Sequence, residues 1–158
     1  MTSNPSIGDD RHMTYRLPRT LGLSIAVMGL LVALTPKWLL PICEHPALGI
    51  VPGDYHPTMR CFWFGQAEIL LGMCVIVAGL TLIIRPARDT LFSVGSLLLP
   101  LSAAICMVSL NSVIGSVCGH QNSSCQVGTK PAERLAAGVL LILGIVALLS
   151  SFRDPQRR

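Results

Sequence analysis

The sequence is short of charge and of aromatic side chains: charged residues fill 13% of its 158 positions and aromatics 5%. An ordinary soluble domain carries about 25% charged residues, so this inventory cannot cover a water-facing surface. The net charge of +4 is not gathered into a basic block interleaved with aromatics, which excludes the usual nucleic-acid surface. Also missing are the Gly-x4-Gly-Lys-Ser/Thr phosphate loop, the Gly-x-Gly-x-x-Gly turn, the Gly-x-Ser-x-Gly elbow and His-Glu-x-x-His. No Cys-x-x-Cys pair occurs, so the attacking and resolving thiols of a membrane thiol oxidoreductase are lacking. A catalytic reading has no motif to rest on, and no cofactor is expected.

What the chain has in abundance is hydrocarbon. Hydrophobic residues make up 51% of it and its mean hydropathy is +0.61. Four runs, at residues 21–40, 62–84, 91–115 and 135–152, approach or exceed the roughly 20 helical residues that cross a hydrocarbon core. The expected fold is therefore all-α: a polytopic membrane protein whose four transmembrane helices form an up-down bundle over residues 20–152. A mobile tail is expected at 1–19, a basic tail at 153–158, and Cys-bearing outer loops at 41–61 and 116–133. The first run also has the look of a signal-peptide core, since Arg16 and Arg19 precede it. No Ala-x-Ala follows it, however. Pro36 and Lys37 stand where small residues are wanted, which favours an uncleaved helix with Trp38 as an interfacial anchor.

Basic residues set the expected orientation. Arg11, Arg16, Arg19, Arg85, Arg88, Arg153, Arg157 and Arg158 fall on one side; Lys37, Arg60, Lys130 and Arg134 fall on the other. The positive-inside rule then places both termini and the short middle turn in the cytoplasm.

Small residues recur at sevenfold spacing: Gly65, Gly72 and Gly79; Gly95, Ser102, Ser109 and Ser116; Ala137, Gly144 and Ser151; with Gly22 and Gly29 in the first run. Such a period keeps one seam facing a partner helix, and in lipid close backbone approach supplies the packing energy. The order helix, Cys-x-His, second cysteine, helix also occurs twice, a faint sign of internal repetition.

Cys74 and Cys106 lie inside apolar runs and read as small packing residues. The other four cysteines, Cys43, Cys61, Cys118 and Cys125, fall in or beside the expected outer loops. An even number on an oxidising side is the pattern of a disulfide framework. Cys43–Cys61 and Cys118–Cys125 would each close their own hairpin, and staples between the loops remain open. A second reading takes Cys43, His45, Cys118 and His120 as a metal site, with His56, Met59, Cys61 and Cys125 near it in sequence, a soft set suited to zinc or monovalent copper. Ionisable groups within a bilayer call for a functional hypothesis. The runs enclose a single carboxylate, Glu68, expected to form a polar patch with Gln66 and Asn111 that coordinates an ion, gates a path or grips a neighbouring helix. Pro100 interrupts the third run and should bend it.

The stretches "MRCFWFGQAEILLGMCVIVAGL" and "VIGSVCGHQNSSCQVGTKP" resemble a family of small bacterial four-helix membrane proteins classed as a domain of unknown function. Met59, Arg60 and Cys61, then Gln66, Ala67 and Glu68, match its first motif; Cys118, Cys125, Thr129 and Pro131 match its second. Phe62 stands where that family often has histidine, which weakens a metal site built on the motif. The resemblance implies a place in the bacterial cytoplasmic (inner) membrane and an accessory role beside a transporter-type partner such as an ABC-type transporter. The expected function is thus non-catalytic. The alternatives are an outer-face metal- or thiol-handling protein, or a small homo-oligomeric transporter or channel with Glu68 on its path.

Overall fold

The structure, a computed structural model, describes residues 9–39, 58–110 and 125–152. Its helices are α1 (Asp9–Leu34), α2 (Thr58–Ile84), α3 (Arg88–Ser109) and α4 (Lys130–Phe152). A π-helical turn, Thr35–Leu39, extends α1, and a second, Cys125–Thr129, leads into α4. Spans of 22 to 26 residues in these helices are long and apolar enough to cross a membrane, each roughly 33–39 Å at 1.5 Å per residue. The chain is a multi-pass membrane protein by that measure. Residues 9–19, expected as a mobile tail, belong to α1. Pro18 is buried within it.

The short turn at 85–87 makes α2 and α3 antiparallel. Pro86 ends one helix, and the extended Ala87 (φ −96°, ψ 155°) starts the next, with Asp89 in its first turn, where a carboxylate suits the helix dipole. The main packing is α1 on α2 and α3 on α4, with lighter contact of α2 on α3 and α1 on α4. The molecule is therefore two helical hairpins side by side, closed into a ring in which α2 and α4 lie diagonally opposite.

The seams hold the hairpins together. A Cβ placed on Gly79 would lie 2.6 Å from the Ala26 nitrogen and 2.7 Å from the Gly22 oxygen; one on Gly72 would lie 2.8 Å from the Gly29 oxygen. In the other hairpin a Cβ on Gly95 would come within 3.1 Å of the Gly144 oxygen. Backbone meets backbone at these points, as lipid-embedded helices require. Ser102, Ser109, Ala137 and Ser151, the remaining described members of the α3 and α4 seams, are buried. The serine hydroxyls donate one turn back, to the carbonyls of Leu99, Cys106 and Leu148.

The hairpins also share a buried register. One constant shift carries Pro18, Gly22, Ile25, Gly29 and Val32 of α1 onto Leu91, Gly95, Leu98, Ser102 and Ile105 of α3, and all ten are buried. Another carries Phe64, Glu68, Gly72, Val75, Gly79 and Leu82 of α2 onto Thr129, Glu133, Ala137, Leu140, Gly144 and Ala147, again all buried. The faint sequence repeat is thus matched by a repeat in packing. Large side chains on the opposite faces, such as Leu23, Leu70, Val77, Ile142 and Leu149, are exposed, the outward apolar coat that lipid demands. Pro100 is among the exposed residues, and α3 continues past it.

Candidate functional site

The end of the bundle away from the 85–87 turn holds its least expected feature. Glu68 lies on α2 and Glu133 in the first turn of α4, and both are fully buried. Among the described residues none of their four carboxylate oxygens has a hydrogen-bond partner. Both face the interior near the same end of the bundle. Their helices are diagonal, so the two acids come from different hairpins rather than from one.

Both sit at one depth. Glu68 is five residues inside Trp63, where its span begins, and Glu133 six residues inside Val127, about 8–9 Å along either helix. Thr129 and Lys130 are buried close by in sequence and each has an interaction of its own. Arg134 turns to the neighbouring helix end: its guanidinium donates to the carbonyl of Ser109, the last residue of α3, at 3.4 Å. The opposite end is tied similarly, since Arg88 Nε donates to the Ser151 carbonyl near the end of α4. Each arginine satisfies a terminal carbonyl that the helix itself leaves open.

The arrangement corrects the expected polar patch. Glu68 faces the core, but Gln66 is exposed; two residues along a helix turn the side chain by about 200°, so the two face opposite ways. Glu68 is also not the single carboxylate of the interior. Glu133 is its counterpart, and it lies inside the helix that was expected to begin at Leu135. The signal for it was present in sequence as the similar stretches Ala67–Glu68 and Ala132–Glu133, with Glu68 seven residues after Cys61 and Glu133 eight after Cys125. Asn111 lies outside the described residues.

Of the disulfide candidates, Cys61 falls in the first turn of α2 and Cys125 opens the π-helical turn before α4; Cys43 and Cys118 lie outside the described residues. So do His45 and His120, which with Cys43 and Cys118 form the candidate metal set. Among the described residues no three His, Cys, Asp or Glu side chains gather as a metal site would require. Cys74 and Cys106 are free thiols. Cys106 is half-buried, whereas Cys74 is exposed rather than packed in the core.

Fold and site together define a class: a small multi-pass membrane protein of two repeated helical hairpins, each burying one carboxyl group near the same end of the bundle. The chain belongs to the family described as a domain of unknown function, DUF4418, whose pattern matches residues 25–150. No curated protein and no solved structure matches it.

Proposed function

We propose that the protein is a cation-handling membrane protein of transporter or channel type, with Glu68 and Glu133 forming the cation site. One observation carries this reading: two carboxyl groups near the same end of the bundle are fully buried, and none of their oxygens has a hydrogen-bond donor among the described residues. Burying an unpaired carboxylate is costly, and buried charges are as a rule paired or bound to a cation. A positive ion held by the oxygens would offset the desolvation cost of the ionised carboxylates and any repulsion between them. Parallel repeats with a site at their interface are a recurring construction of transporters, which supports the choice of class. The chain is read as a resident of the bacterial cytoplasmic membrane with both termini inside, supported by the distribution of its arginines. The pair then lies nearer the outer side of the membrane. The accessory-subunit role rests on the family resemblance alone.

Thermal unfolding in lipid nanodiscs tests the site. A ligand present at a hundred times its Kd stabilises the native state by about 2.7 kcal/mol. Alkali, alkaline-earth and ammonium ions are added in turn at constant ionic strength. At least one should raise the transition temperature of the native chain and leave Glu68→Gln/Glu133→Gln unchanged. Ion flux into proteoliposomes then separates passage from binding. If no ion in the series separates native chain from double variant, the two acids are structural and the reading fails.

A further inference from the structure

A second site lies at the other end of the bundle. Near the 85–87 turn, α2 and α3 line an open cleft of about 480 Å³. Away from the turn its walls are mostly apolar, formed by Cys74, Val77 and Ala78 on one helix and Val94 and Leu97 on the other. Its mouth carries Arg85, Asp89, Thr90 and Ser93. The polarity thus changes along the helix axis, apolar towards the membrane interior and charged at the boundary, in the manner of one lipid molecule.

The side chains at the mouth are chemically idle. Arg85 and Asp89 have no ion pair or side-chain hydrogen bond among the described residues. The neighbouring Arg88 is occupied by the Ser151 carbonyl. Hydroxyls elsewhere in the bundle close back onto their own helix: Thr20, Ser24, Thr35, Ser96, Ser102, Ser109, Ser150 and Ser151 all donate to a carbonyl three or four residues earlier, as does Thr81 on the cleft wall. Hydroxyls on lipid-embedded helices are satisfied in this way for want of water. Among the described residues Thr90 and Ser93 have no such bond, and both open into this cleft. A guanidinium, two spare hydroxyl donors and a carboxylate match a headgroup that offers phosphate oxygens and an ammonium.

We propose that the cleft between α2 and α3 binds a phospholipid with a primary-ammonium headgroup. Its phosphate is held by Arg85 with the Thr90 and Ser93 hydroxyls, its ammonium lies on Asp89, and one acyl chain runs along the apolar walls. Charge complementarity selects this occupant. A headgroup with phosphate alone would leave Asp89 repelling it, and a quaternary amine could not donate a hydrogen bond to the carboxylate. Independence from the glutamate pair follows from position, at opposite ends of the bundle.

Native mass spectrometry of the delipidated full chain provides the test, with phosphatidylethanolamine, phosphatidylcholine and phosphatidylglycerol of identical acyl chains as probes. Phosphatidylethanolamine should be retained about tenfold more tightly than the other two, the scale of one hydrogen bond to a charged group. Asp89→Asn should bring the three lipids level. Thr90→Val/Ser93→Ala, which keeps every charge and so leaves the topology signal intact, should weaken all three by a similar factor. Equal retention of the three lipids by the native chain would overturn the proposal, as would a hydroxyl-free variant that binds phosphatidylethanolamine like the native chain.

Discussion

Glu68 and Glu133 are costly to the fold in whatever state they are held, since even a neutral carboxyl group buried without a partner forfeits its bonds to water. A site kept at the expense of stability has a mutational signature. Glu68→Met or Glu133→Met, replacing the carboxyl with an apolar chain of similar length, should stabilise the protein by about 1–3 kcal/mol and abolish any stabilisation by cations. Thermal unfolding with and without the ion reads both effects, and a Met variant that keeps the ion response would separate the acids from the site. Glu68 could be recognised from sequence because it stands alone in an apolar run. Glu133 was hidden by its neighbours: Lys130, Pro131 and Arg134 give that stretch the composition of a loop, and hydropathy assigns it to water. Gln66 misled in the other direction, because adjacency along the chain does not place two side chains on one face of a helix.

At the scale of helices, the seams turn a spacing pattern into contacts whose tolerance differs by position. A methyl group on Gly79 meets the backbone of Ala26 and Gly22 at 2.6 and 2.7 Å; on Gly144 it meets the Leu98 Cβ at 3.1 Å; on Gly138 it meets nothing within 4 Å. Backbone cannot yield without moving α1 off α2. Gly79→Ala should therefore cost about 1–3 kcal/mol, the usual range for overpacking. Gly138→Ala should cost nothing and gain up to about 1 kcal/mol from helix propensity, and Gly144→Ala should fall between. Unfolding in mild detergent orders the three, and equal behaviour of Gly79→Ala and Gly138→Ala would remove the seam from the account. The seams were legible because a sevenfold period survives any error in helix boundaries. The boundaries themselves were not, since hydropathy registers neither the amphipathic start of α1 at Asp9 nor the π-helical turns that extend α1 and precede α4.

Across the whole molecule, packing is uneven in a way that bears on function. Within each hairpin the helices meet backbone to backbone, while between hairpins the contact is lighter and carries the two glutamates. Rigid units joined by a weaker interface move as bodies, and like charges on either side of that interface, once both carboxyls are ionised, would bias the motion. With the pair empty and ionised, repulsion should hold the far ends of α2 and α4 apart; a bound cation should draw them together. Spin labels at Leu70 and Leu135, both exposed on the outer surface, report that separation, and labels at Leu23 and Leu80 report one hairpin. Cation addition should shorten the first distance and leave the second unchanged. Glu68→Gln/Glu133→Gln, having no charge to neutralise, should hold the shorter distance at every cation concentration. A first distance insensitive to both cation and substitution would mean that the hairpins are locked, and that whatever the carboxylates bind, they do not move the bundle.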